Sequence, residues 1–132
     1  MSCETDASKT AHGTFVWNEL GTRDLEAAKR FYGATLGWSF KPMEMGGYTY
    51  HIAMSGEAEV AGLFELKGPE FDSVPAHWLA YIAVDDVDAR LDKLAAAGGE
   101  VVRPAFDVPG VGRIAIVRDA EGAFVGWMTP IM

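Results

Sequence analysis

The sequence predicts an α+β fold made of two consecutive βαβββ modules. Three observations lead there. The chain repeats itself at an offset of 62 residues. Each repeat holds one stretch with helical periodicity. In each repeat one short strand-like run precedes that helix and three follow it, divided by turn signals.

The first strand is TFVWNEL. The helix after it lies in TRDLEAAKRFYGATLGW, where Leu25, Ala28, Phe31, Tyr32 and Leu36 recur at helical spacing. Asp24 is its expected N-cap and Gly37 its stop. The runs SFKPME, YTYHIAM and EVAGLFEL follow as strands, with turns at Met45-Gly46-Gly47 and Ser55-Gly56. LKGPEFDSVPA then joins the halves and is too short for a flexible interdomain tether.

The second half opens with HWLAYIAV. Its helix lies in DDVDARLDKLAAAGGE, with Val87, Leu91 and Leu94 as one apolar stripe, Asp86 as cap and Gly98-Gly99 as stop. EVVRPAF, RIAIV and FVGWMT complete it, with turns at Pro109-Gly110 and from Asp119 to Gly122. The offset of 62 relates Asp24 to Asp86, Leu25 to Val87, Gly37 to Gly99, Pro42 to Pro104 and Ile52 to Ile114. Matching caps, stops and strand residues in one register define modules 13–67 and 76–130 of a single domain, 13–132. Each module has one helix to cover one face of its strands, so the other faces must meet or enclose something.

A chain of 132 residues can bury a core without disulfides or a metal staple. Residues 1–12 are polar and read as a flexible tail rather than a secretory signal. The single Cys3 has no intrachain disulfide partner, which fits a reducing cytoplasm, and no apolar run approaches the length of a membrane span. The formal charge of −8 disfavours nucleic acid, whose affinity rests on basic contacts to phosphate. No nucleic acid is therefore expected as a partner.

The pattern W-x-E-L-x-T-x-D-L-x-A-A-x-x-F-Y-x-x-x-L-G-W from Trp17 to Trp38 resembles the first module of the vicinal oxygen chelate superfamily, which includes glyoxalases, bleomycin resistance proteins and dioxygenases. AYIAVDDVDARLDKLAAAGGEVV resembles its second module, and GRIAIVRDAEGAFVGWMTP its closing hairpin. The resemblance implies eight strands curling into an open, cup-shaped barrel that holds the ligand, and a homodimer. In metal-dependent members, His, Gln or Glu on the first and last strands of each module hold a divalent ion.

Those places fall here on Trp17, Gly62, Leu79 and Gly126. Indole, isobutyl and two glycines offer no lone pair suited to Zn, Ni or Fe, so the expected metal and cofactor set is none. His51, His77 and Glu19 cannot be assembled by spacing into a closed ligand set. His51 and His77 read as polar residues on strands with ordinary hydrogen bonds.

Period-two alternation predicts Phe15, Trp17 and Glu19 on one face, with Val60, Gly62 and Phe64, Leu79 and Tyr81, and Phe124, Gly126 and Met128 on the corresponding faces of their strands. The expected ligand contacts are thus Trp17, Glu19, Phe64, Leu79, Tyr81, Phe124 and Met128. Phe64 and Phe124 read equally as core filling. Glu19 is the one acidic group among them and the candidate catalytic base, because desolvation in an apolar cup raises a carboxyl pKa. Trp127 has the opposite parity and packs either under a helix or at a dimer contact.

Three functions remain open. One is a metal-free protein binding a small, mostly apolar or aromatic ligand. The alternative is a lyase, isomerase or dioxygenase of the superfamily with an atypical metal site or none. The third is a module whose cup is closed by its own side chains.

Overall fold

The computed structural model describes residues 11–45, 47–108 and 111–130. Cys3 and most of the expected tail lie outside these residues, as do Gly46, Pro109 and Gly110 of the expected turns. The element order is β1 (Phe15–Thr22), α1 (Leu25–Leu36), β2 (Ser39–Glu44), β3 (Thr49–Ser55), β4 (Ala58–Glu65), β5 (His77–Ala83), α2 (Val87–Leu91), β6 (Glu100–Val108), β7 (Gly112–Arg118) and β8 (Phe124–Pro130). Two βαβββ modules are therefore present, as the repeat predicts. A single 3-10 turn, Pro69–Phe71, lies in the segment joining them.

The chain divides into two compact units. One is Asn18–Leu79, and the other combines Met1–Trp17 with Ala80–Met132. The start of β1 belongs to the second for a local reason. Gly13 N–H donates to the Ala83 carbonyl at 2.7 Å, and Ala83 N–H donates to the Thr14 carbonyl at 2.8 Å.

In the first unit the strand order is β2-β3-β4-β1, with β1 parallel to β4 and the other pairs antiparallel. In the second it is β5-β8-β7-β6, again with one parallel pair, β5 with β8. Pro42 and Pro104 fall on β2 and β6, the outermost strands of these orders, where a missing N–H breaks no ladder.

Both helices begin as their caps dictate. The Asp24 carboxylate accepts from Ala27 N–H at 3.0 Å, and Asp86 from Ala89 N–H at 3.1 Å. Helix α1 ends at Gly37, whose φ of 73° is the left-handed conformation that glycine adopts without a steric penalty. Helix α2 is shorter than the sequence suggests. Beyond Leu91 the chain continues in tight turns, with Lys93 N–H bonding to the Arg90 carbonyl and Leu94 N–H to that of Leu91. These three-residue bonds interrupt the helical ladder ahead of Gly98 and Gly99, where Ala97 N–H is shared between the Lys93 and Leu94 carbonyls.

Each helix covers one sheet face. Leu25, Ala28 and Tyr32 of α1, with Trp38 and Phe40, pack on Leu20, Ala53, Ala61 and Leu63. In the second unit Val84, Val87 and Ala115 form the corresponding core, packed by Ile82, Leu91, Ala105 and Trp127. Trp127 thus sits in the α2 core. Among the described residues, no helix is long and apolar enough to cross a membrane.

Candidate functional site

The side of the first unit turned away from α1 carries the chemistry. Leu20 faces the helix, so its neighbour Glu19 points to the other side of β1. Parallel pairing aligns Glu19 with Gly62 on β4, and antiparallel pairing aligns Gly62 with Ile52 on β3. Tyr50 lies two residues before Ile52 and shares its face. The phenol of Tyr50 donates to Glu19 Oε2 at 2.8 Å. Both residues are half-buried.

Gly62 makes that contact possible. A Cβ at this position would stand 1.6 Å from the Tyr50 hydroxyl oxygen and 2.1 Å from the ring carbon that bears it. Any side chain at 62 would need the volume the phenol fills. Phe64, two residues further along β4, continues the face. Its ring meets Phe71 edge-on at 5.6 Å and Tyr48 at 6.2 Å, so the carboxylate and phenol are followed by an aromatic cluster.

The second unit shows the same relation with different chemistry. Parallel pairing aligns Tyr81 with Gly126, and a Cβ at 126 would lie 2.3 Å from the Tyr81 ring. Tyr81 is the repeat counterpart of Glu19, at the offset of 62. One structural position thus holds a carboxylate in the first module and a phenol ring in the second, each beside a glycine. Tyr81 and Met128 are buried, as is Leu79 in the first unit, while Trp17 is half-buried. Phe124 is 53% exposed, with the Arg118 guanidinium 5.2 Å from its ring centroid.

The places where the superfamily carries metal ligands do not fit a metal here. Trp17 and Leu79 bring no donor of the required kind. A ligating side chain at 62 or 126 would collide with Tyr50 or Tyr81. The histidines are engaged apart from one another. His77 Nδ1 lies 2.9 Å from the Pro75 carbonyl oxygen, His12 Nδ1 accepts from Asp85 N–H at 3.0 Å, and His51 is aligned with Leu63. Among the described residues no three His, Cys, Asp or Glu side chains converge as a metal-ligating group.

Sequence reasoning placed Glu19 and Phe64 on one face and missed Tyr50; it also put Val60 there, which packs instead on the α1-side core, next to the irregularity in the β3–β4 pairing. The signal was available, because Tyr50 has the parity of Ile52 and the facing strand offers a glycine. What was missing was the register that sets Tyr50 over Gly62.

The model of the Glyoxalase/Bleomycin resistance protein/Dioxygenase superfamily matches residues 14–125. The chain belongs to this superfamily. It is 43% identical over 119 residues to the protein named "Putative glyoxylase CFP32" of Mycobacterium bovis, a match covering 89% of this chain and 44% of that one. The chain therefore spans less than half the length of that relative. It is 30% identical over 123 residues to the "Probable lactoylglutathione lyase" of Vibrio parahaemolyticus, covering 87% of this chain and 89% of that one. Among solved structures, methylmalonyl-CoA epimerase from Mycobacterium tuberculosis matches with a TM-score of 0.66 at 18% identity, over 93% of this chain and 92% of that one. At that identity the likeness is one of fold.

Proposed function

We propose that this superfamily member binds a small, largely aromatic or apolar molecule at the Glu19–Tyr50 face without a metal ion. The observation that carries the reading is the Tyr50 phenol, which fills the space over Gly62 and donates to Glu19. The phenol thus fills the place beside Gly62 where the resemblance expects a metal-ligating side chain. The carboxylate favours a ligand that presents a cation or a hydrogen-bond donor, and Phe64, Phe71 and Tyr48 favour a flat apolar body. Of the other expected contacts, Leu79 lies in the same unit and is kept in the proposed set. The same reading includes a symmetric pair of chains.

The test is a thermal-shift screen of aromatic cations, beginning with benzyltrimethylammonium, on wild-type and Glu19→Gln chains. A ligand at about 100 times its Kd adds roughly 2.7 kcal/mol to the folded state. The reading expects stabilisation of wild type and its loss in Glu19→Gln. Equal stabilisation of both, or of neither across the panel, contradicts it.

The half-buried carboxylate beside a phenol also supports a second reading, in which the chain is a lyase or isomerase with Glu19 as general base and Tyr50 orienting it. The names of the Mycobacterium and Vibrio relatives agree with that class. Full turnover of an identified substrate by Glu19→Gln would remove it.

A further inference from the structure

The two modules cover their helix-side sheet faces unequally. In the first, the rings of Tyr32 and Trp38 stack at 5.3 Å and pack on the core. At the offset of 62 their counterparts are Leu94 and Glu100, and Phe31 and Leu36 become Lys93 and Gly98. The second module therefore lacks the aromatic bulk that closes the first. The consequence is a groove of about 680 Å³ beside α2, lined only by residues of the second unit.

Its floor is apolar, made by Ile82, Val125 and Trp127, with Leu94 and Ala97 as one wall. Phe15 and Phe124 line it while remaining 63% and 53% exposed. The volume lies within the range of about 300–1,000 Å³ usual for small-molecule sites. Exposed aromatic edges around an apolar floor are a common mark of binding surfaces.

The charges at the rim decide the ligand class. Arg90 is committed to Asp85 through two hydrogen bonds, at 2.9 and 2.8 Å. The Asp119 carboxylate is turned into its own turn, accepting from Glu121 and Ala123 N–H, each at 2.9 Å. His12 accepts from Asp85 N–H. Lys93 also lines the groove and has no ion-pair partner among the described residues. The uncommitted charge is thus positive, opposite to that of the Glu19 face.

We infer that the α2 groove is a second ligand site, for an apolar small molecule carrying one carboxylate-type anionic group. Ile82, Val125 and Trp127 receive the apolar body, and Lys93 receives the anion.

The test titrates the full chain with decanoate and with 1-decanol, each displacing 1-anilinonaphthalene-8-sulfonate. Removing a charge-assisted hydrogen bond costs about 1.5–3 kcal/mol, so Lys93→Met should weaken decanoate by roughly tenfold or more and leave decanol unchanged. Ala97→Trp, which fills the groove, should weaken both, and Glu19→Gln neither. If Ala97→Trp does not fold, the decanoate-to-decanol ratio in Lys93→Met still decides. An unchanged ratio overturns the inference, as does loss of decanoate binding in Glu19→Gln. A dimer that Ala97→Trp converts to monomer in sedimentation overturns it too, because the groove is then covered by a second chain.

Discussion

Tyr50 donates its phenolic hydrogen to Glu19 directly over Gly62, at 2.8 Å, and the glycine has no side chain because the phenol takes its place. Three residues on three neighbouring strands are thereby coupled. Gly62→Ala should lower stability by about 1–3 kcal/mol through overpacking. Combining it with Tyr50→Ala should recover part of that loss, since both changes act on one volume. Urea unfolding of the four chains in a double-mutant cycle measures the coupling, expected at roughly 1 kcal/mol or more. Simple additivity would show that the phenol does not sit over Gly62.

Tyr50→Phe keeps the ring and removes only the donor. A hydrogen bond to a charged group contributes about 1.5–3 kcal/mol when shielded from water, and half-burial reduces that. The expected loss is about 1 kcal/mol at neutral pH. Because the lost bond is to the carboxylate, Glu19→Gln should already remove most of the effect of Tyr50→Phe. A full effect of Tyr50→Phe in the Glu19→Gln background would place the hydroxyl's partner elsewhere.

The caps give a prediction for the scaffold. Asp24→Ala and Asp86→Ala should each cost about 1 kcal/mol, read by thermal or urea unfolding. Asn at either position should preserve most of the stability, since its side-chain oxygen accepts the same bond. Equal losses for Ala and Asn would argue against a capping role.

Asp85 supplies a pH dependence. The guanidinium of Arg90, bonded to its carboxylate, holds its pKa down to about 2 from an ordinary 3.8. A carboxyl with a depressed folded-state pKa stabilises above the unfolded value and loses that contribution as pH falls through the folded one. Wild type should therefore exceed Asp85→Asn by a constant, small margin above about pH 5 that shrinks progressively below it and is gone near pH 1. A margin still at its full size at about pH 2 contradicts the pairing. NMR titration of the Asp85 carboxyl carbon gives the midpoint directly.

Much of the fold was legible in the sequence because its signals are local and doubled. Asp24 and Asp86 cap, Gly37 stops, and Pro42 and Pro104 mark outer strands, each pair standing at the same offset. The shortening of α2 was not legible, because Leu94 continues the apolar stripe while the backbone has already tightened at Lys93. Trp127 had only its parity, which fixes a face and not what covers it. Parity placed Glu19 and Phe64 together, but Tyr50 required the register of three strands. Phe15, expected on the face of Glu19, lines the α2 groove, and alternation along one strand does not reveal which unit each end joins.

The central claim is that side chains, not a metal ion, occupy the superfamily's ligand positions. Metal analysis of the full chain, purified without chelator and dialysed, tests it most directly. The account predicts Zn, Ni, Mn and Fe far below stoichiometric amounts, with no change in Glu19→Gln. A stoichiometric ion that survives dialysis in wild type and is lost in Glu19→Gln would contradict it.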